Sequence, residues 1–537
     1  MTVEESKAEA TFIGIAFGTL YSSVSVLTNG KAHSIANEDG ERNIPSYFAF
    51  TGHEELAGTQ AKVQSMSNPR GTIVQFRNLL GKQIEDEETQ LHSRTLGLNI
   101  VPSPSDPNTP AYEVENWSDL DAEEPTREVH TVREVTSKYL AKLRETAEAY
   151  LGKSVDGVVI SIPPHFEDAQ KAALLVATKQ AGFKKAHAIH EPVAAALAFD
   201  AAPRLNNQSA TPKNDRIIAV LDLGGHQFNV SVLTASDGLY SILASRDDYA
   251  LGGVHFDQLL VDFVKQEFKR KTKMDISDNK RAVAKLRMAA EQTKRALTRQ
   301  DVAPCSVESL YEGMDHHGTI NRGRFEMLAD PLYRRCSQLV LETLKEAGVN
   351  VGEVDEVLFV GGSSRMPRFQ AVMKSLFPGA GSNTEIRTDV DPDEAISVGC
   401  ASQAGIITSS NVDYATALKD VKEAPVLGKS VGIEVAGGAF AVLIPKNTVL
   451  PARRTVEFGI SEEGQKEIFL AVYEGEESMA KSNTLLAEVA LELSEGVKKG
   501  EGKVDVTFTI EGDQSFTVAA KEKGKGSASI KVKVAHK

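Results

Sequence analysis

The chain has 537 residues, 41% of them hydrophobic and 25% charged, proportions that suit a soluble globular protein of roughly three or four compact units. Acidic residues outnumber basic ones by 74 to 60, and the formal net charge of −14 argues against a broadly nucleic-acid-binding surface. No run approaches the roughly 18 apolar residues of a membrane-spanning helix, and the opening Met1-Thr-Val-Glu-Glu-Ser-Lys carries no secretory pattern. Cys305, Cys336 and Cys400 form an odd, scattered set. It fits reduced structural thiols better than a disulfide framework or a metal site, and the cytosol is the expected compartment.

In chain order, residues 13–27 (IGIAFGTLYSSVSVL) read as an apolar strand, a glycine turn and an alternating strand. The segment from Asn99 to Thr126 is rich in Pro and Asp and is expected to be an exposed insertion. Glu134 to Leu151 reads as a helix, Gly157-Val-Val-Ile-Ser-Ile as a buried strand, and Asp168 to Ala181 as a second helix. Residues 219–233 (AVLDLGGHQFNVSVL) then echo the first hairpin at one fixed offset. Gly18 meets Gly224, and Ser25-Val26-Leu27 meets Ser231-Val232-Leu233. Two such units imply a duplicated α/β domain with two lobes. A third strand and glycine turn follow at Val357-Leu-Phe-Val-Gly361-Gly362-Ser363.

From Val431 onward the pattern changes to alternating runs bounded by Gly, Pro or Asn. Examples are Ala439-Phe-Ala-Val-Leu-Ile, Lys466-Glu-Ile-Phe-Leu-Ala-Val-Tyr and Lys503-Val-Asp-Val-Thr-Phe-Thr-Ile, which read as an all-β sandwich. The sequence ends on such a strand, Ser527 to Val534, and no helical lid is expected. The expected organisation is a nucleotide domain over 1–408, a linker over 409–430 and a sandwich over 431–537. Lys521, Lys523, Lys525, Lys531 and Lys533 read as a strand face that resists edge pairing.

Glycine turns expose backbone N–H groups that can converge on phosphate. One Gly-Gly is more often a plain turn, but three in one domain make a stronger case. Two Gly-Lys-Ser tripeptides are not P-loops, because Ala147 and Glu423 stand where the earlier glycine is needed. His187 and His190 have no further ligand cluster beside them and read as packing residues.

Taken together, these segments resemble the heat-shock-70 (DnaK-type) family over nearly the whole chain. The resemblance is carried by Ile35-Ala-Asn-Glu-Asp-Gly-Glu-Arg-Asn-Ile-Pro-Ser-Tyr, Glu191-Pro192-Val193-Ala-Ala-Ala, Asp222-Leu-Gly-Gly, Glu291-Gln-Thr-Lys294-Arg295-Ala-Leu-Thr298, Leu358-Phe-Val-Gly361-Gly362-Ser363-Ser-Arg365 and Asp391-Pro-Asp393. It implies an actin-like, duplicated, two-lobed α/β nucleotide-binding domain that takes ATP with Mg2+. By the resemblance, Glu291, Lys294, Arg295 and Thr298 hold ribose and adenine, with Gly361, Gly362, Ser363, Arg365 and Asp393 on the other side of the base. Gly18, Thr19 and Tyr21 meet the phosphates with Gly224 and Gly225, Leu20 and His226 are further cofactor-binding candidates, and Asp222, with Glu191, holds the metal through water.

The departures from the family are concentrated in the phosphate corner. The family's Gly-Ile-Asp-Leu-Gly-Thr-Thr is Gly14-Ile15-Ala16-Phe17-Gly18-Thr19-Leu20 here, so a carboxylate and a hydroxyl are missing. The catalytic lysine position holds Arg77, whose planar fork is no substitute for a compact ammonium. Gly-Thr-Phe-Asp becomes His226-Gln227-Phe228-Asn229, and Val254 replaces an acid. Each lost charge-stabilising group costs about a hundredfold to ten-thousandfold, so no catalytic residue is assigned and a poor ATPase is expected. The linker stretch Asp420-Val-Lys-Glu-Ala424-Pro425-Val426-Leu427 keeps only part of the family pattern.

This combination is similar to the atypical family member of the fungal ribosome-associated complex. That similarity implies a heterodimer with a J-protein of the zuotin type at the ribosome, assisting an active heat-shock-70 protein on nascent chains. The competing readings are an ATP-hydrolysing peptide chaperone, a nucleotide-exchange factor of the heat-shock-110 kind, and a small-molecule kinase of the actin-like superfamily.

Overall fold

The computed structural model describes residues 10–52, 54–116, 125–202, 215–236, 239–377, 384–409, 427–435, 437–446, 448, 452–459, 467–492, 503–510, 515–522 and 529–534. The chain separates into two compact units, Met1–Asn411 and Val412–Lys537. The expected linker falls largely on 410–426, outside the described residues.

The first unit contains two sheets of one design. In one lobe the strand order is Lys185–His190, Gly157–Ile162, Phe12–Phe17, Tyr21–Thr28, Lys31–Ile35. In the other it is Glu385–Arg387, Glu356–Val360, Asp215–Leu223, Phe228–Ser236, Leu239–Asp248. Each sheet has two parallel pairings on one side of its central strand and antiparallel hairpins on the other. The echo seen in the sequence is an echo of register. Ile13 pairs with Val26 and Phe17 with Ser22, while at the same offset Ala219 pairs with Val232 and Leu223 with Phe228.

Helices cover these sheets because their apolar faces find buried strands. Gly157–Ile162 is buried along its whole length, as a strand covered on both faces must be. The helix Val132–Leu151 begins at a capping box between Thr131 and Glu134, two residues before the expected start. The helix Ala395–Ser409 lies so close to the first sheet that a Cβ on Gly14 would sit 2.3 Å from the Ala401 nitrogen. It also crosses the helix Glu191–Ala201, where a Cβ on Gly399 would reach 1.7 Å from the Ala194 carbonyl oxygen.

One expectation is corrected. The segment from Asn99 to Thr126 contributes the strands Asn99–Ser103 and Asp106–Asn116, and Thr126–Thr131 completes their three-stranded sheet. Ala111, Tyr112 and Val114 are buried in the first lobe's core. Proline and aspartate mark the hairpin turn at Ser103–Asp106, while the alternation around Tyr112 and Val114 decides the strand.

The second unit has two four-stranded antiparallel sheets. One joins Ala439–Ile444, Val431–Val435, Glu467–Glu474 and Thr484–Glu492 in that order, and the other Ala452–Gly459, Lys503–Ile510, Phe516–Glu522 and Ser529–Val534. Side chains from both, including Ile433, Leu470, Val472, Val506, Phe508 and Val518, share one apolar cluster. Ser529–Val534, which carries Lys531 and Lys533, lies at a sheet edge, while Lys523 and Lys525 lie outside the described residues. No helix among the described residues is long and apolar enough to cross a membrane. All three thiols are free and buried.

Candidate functional site

The two hairpin turns of the first unit face one another. In the first, the Ser46 N–H donates to the Leu20 carbonyl and its hydroxyl to the Gly18 carbonyl, both at 2.8 Å. In the second, the carbonyls of Gly224 and Gly225 accept from the N–H groups of Gly253 (3.0 Å) and Val254 (2.9 Å), the opening residues of the helix Gly253–Thr272. A peptide's N–H points opposite to its C=O, so both turns present amide edges on their other side. A Cβ on Gly225 would lie 2.7 Å from Leu20 Cδ1, so an apolar side chain of one lobe rests on the turn of the other. The Thr19 hydroxyl donates to Asn78 Oδ1 at 3.2 Å.

The third glycine segment closes against the second hairpin. Gly361 adopts φ +79°, and a Cβ there would stand 2.4 Å from Asp222 Oδ1. A Cβ on Gly362 would stand 2.2 Å from Asp393 Oδ1. Glycine is needed at both, because the backbone approaches a carboxylate. Arg365 binds Asp393 at 2.9 Å and also pairs with Asp391, which fixes this side of the cleft. Ser363 is buried, with its hydroxyl close to Gly253.

Four residues of the helix Lys280–Leu297 and its cap were expected on one wall, and they divide. Glu291 reaches the other lobe: it accepts from the Tyr21 hydroxyl and from Lys62 Nζ at 2.6 Å. Arg295 pairs with Glu291 at 2.8 Å and lies over the Tyr21 ring, 5.0 Å from its centroid. Burial raises the Glu291 carboxyl, but Lys62 and Arg295 outweigh it and bring it down to about 2. Lys294 is buried and turned inward, 2.9 Å from the Gly253 carbonyl oxygen and 3.0 Å from Asp257 Oδ2. The Thr298 hydroxyl donates to the Arg295 carbonyl at 2.7 Å on an exposed stretch. Lys62, Tyr47, Asp247 and His165 were not singled out from the sequence. Each lies far in the chain from the partner that gives it meaning, as with His165 Nδ1, 2.8 Å from Asp247 Oδ2 across the cleft.

The remaining charged groups of the cleft gather around Arg77 and Asp222. Arg77 follows Gln75, a non-glycine residue at φ +55°, in the 3-10 turn Phe76–Leu79. That left-handed kink is strain maintained at a working position. Arg77 is 5% exposed; its guanidinium donates to the Phe17 carbonyl, binds Glu191 Oε1 at 2.9 Å and lies over the Phe166 ring. Asp222 stands beside this pair. Burial, then the Glu191 charge, pushes its carboxyl up to about 7, despite the opposing pull of Arg77. Ala16 occupies the corresponding place in the first hairpin and offers no carboxylate. Asn229 is neutral and fully engaged: its amide donates to Ser245 Oγ and Asp247 Oδ1, both at 3.0 Å, and it accepts from the Ser231 hydroxyl at 2.8 Å.

A triphosphate nucleotide fits this arrangement. Three glycines leave no room for a Cβ around the corner, amide edges converge there, and His226 Nδ1 is buried without a partner. Gly18, Thr19 and Gly225 would hold the phosphates, with Tyr21, Glu291, Arg295, Arg365 and Asp393 at the nucleoside end. A divalent cation suits Asp222, whose strained carboxyl it would relieve, and it would supply charge neutralisation at the phosphates. No group of three or more His, Cys, Asp or Glu side chains forms a metal cage among the described residues.

Residues 12–537 match the family model described as Hsp70 protein. The chain is 35% identical over 517 residues to heat shock cognate 70 kDa protein 3 of Dictyostelium discoideum, covering 96% of this chain and 78% of that one. It is 36% identical over 523 residues to the heat shock 70 kDa proteins of Neurospora crassa and Emericella nidulans, covering 97% of this chain and 77% of theirs. With the duplicated α/β sheets and the glycine-lined cleft, these matches show that the chain belongs to the heat-shock-70 family of ATP-binding chaperones.

Proposed function

We propose that this family member holds ATP with little or no hydrolysis and works as a co-chaperone rather than as a cycling chaperone. The observation that carries the reading is Arg77. Its guanidinium is bound to Glu191 and the Phe17 carbonyl, so the cationic group at the lysine position is engaged with protein. The same corner has Ala16 in place of one acid and Asn229 in place of another. Phosphoryl transfer needs metal, attacked phosphate and positive charge placed together, and three of the groups that place them are altered. Binding depends on other residues, among them Gly18, Gly225, Glu291 and Arg295, which the chain retains. ATP that is bound and not consumed stabilises the native state by mass action.

The proposal extends to the assembly. Such a protein forms a stable heterodimer with a zuotin-type J-protein at the ribosome, in the cytosol. There it assists an active heat-shock-70 protein with nascent chains. The second unit serves as a β-sandwich whose sheet-edge strands accept an extended partner segment. Support comes from the sequence departures and from the edge strands Ala439–Ile444 and Ser529–Val534.

Two measurements test this. Nucleotide released by denaturing the purified chain is identified, and single-turnover hydrolysis of γ-labelled ATP is followed. Intact ATP with no phosphate release over hours is expected; steady release at the rate of an active chaperone overturns the reading. Co-elution of the chain with a zuotin-type J-protein at one-to-one stoichiometry tests the partner, and separate migration removes it. A second reading, an ATP-hydrolysing peptide chaperone, is favoured by the relatives' names, and the hydrolysis experiment decides between the two.

A further inference from the structure

Two imidazoles stand beside the second glycine turn. His226 stands at the tip of that turn, and His255 lies in the first turn of the helix whose N–H groups hold it. Their ring centroids are 6.2 Å apart. The Nδ1 atom of each is sealed from solvent and lacks a hydrogen-bond partner. A buried N–H with no acceptor is costly, so the neutral His226 ring keeps its proton on Nε2. Burial, and then His255, keeps the ring neutral, with its titration lowered to about 4.

His92, on the helix Glu87–Leu96 of the first lobe, is lowered to about 4 by burial and then by the charge His226 would carry. At the offset that superimposes the two hairpins, His226 corresponds to Leu20, and Leu20 packs on Gly225. Arg77 is already bound to Glu191 and the Phe17 carbonyl.

We propose that His226 donates its Nε2–H to the terminal phosphate of the bound nucleotide and thereby makes this cleft prefer a nucleoside triphosphate over a diphosphate. The inference rests on reading the cleft as an ATP site. A neutral donor in a water-poor corner makes a charge-assisted bond to an oxyanion, and a diphosphate has no oxygen in that place. Glycine fills the matching position of the family motif, so the donor is a property of this chain.

Equilibrium competition of ATP and ADP against a fluorescent nucleotide tests it, using the full chain as wild type, His226→Ala and His226→Gln. The alanine variant is expected to lose about 10- to 100-fold in ATP affinity and less than about twofold in ADP affinity. Glutamine, which keeps a donor, is expected to retain part of the preference. Unliganded melting temperatures report whether each variant folds, and the glutamine variant decides if alanine does not. Equal losses for both nucleotides, undiminished ATP affinity in the alanine variant, or no preference in the wild type overturns the proposal. A wild-type chain that binds neither nucleotide brings down the ATP-site reading instead.

Discussion

The two hairpins of the first unit share a register residue for residue and share little of their chemistry. The first carries Gly14, Ala16 and Leu20, where the second carries Val220, Asp222 and His226. The backbone plan depends on apolar strand faces and a glycine at the turn, and both copies keep these. The charges depend on what the cleft must do, and the copies have diverged there. Fold and chemistry are written at different positions, so one can be lost without the other.

That comparison can be broken most severely at Gly14. Giving it the valine of its counterpart places a Cβ 2.3 Å from the Ala401 nitrogen and 2.5 Å from the Ser397 oxygen. Gly14→Val is expected to cost more than about 4 kcal/mol, read as loss of cooperative thermal unfolding, whereas Val220→Ala should cost only about 1–3 kcal/mol. Next comes Arg77→Met. It leaves Glu191, 7% exposed, without its guanidinium partner, and about 3–5 kcal/mol of stability should go in denaturant titration.

Asp222→Asn should act in the opposite direction. The native carboxyl keeps its proton up to about pH 7, while the unfolded chain releases it near pH 4. The penalty therefore grows as pH rises between those values and is constant above them. The unliganded asparagine variant should be more stable at pH 8 by at most about 4 kcal/mol and indistinguishable near pH 3.5. Equal stability at pH 8 would show that Asp222 is ionised without cost. The smallest effect is expected at Arg42→Ala. Its pair with Glu394 at 3.1 Å is largely solvent-exposed on the arginine side, so the change should stay within about 0.5 kcal/mol.

Much of the α/β unit is legible in the sequence because its signals are local. The echo, the buried run at Gly157–Ile162 and the three glycine segments each need only a short window. Asn99–Thr126 was misread because turn residues outweighed the short alternation at Tyr112 and Val114. The fate of Arg77 is not local. Its type can be read, but its engagement depends on Glu191 and Phe17, which only the fold brings near. Lys294 shows the same limit: helical spacing puts it beside Glu291, and Asp257 turns it inward.

The cleft is spanned by polar straps: Lys62 and Tyr21 to Glu291, and His165 to Asp247 and Tyr249. Anything enclosed between the lobes leaves only after these contacts part together, so the straps act on the dissociation rate. Under the proposed function, residence time is the quantity that matters. A slow off-rate makes one nucleotide last through many encounters with partners, and the occupied state becomes the protein's ordinary condition.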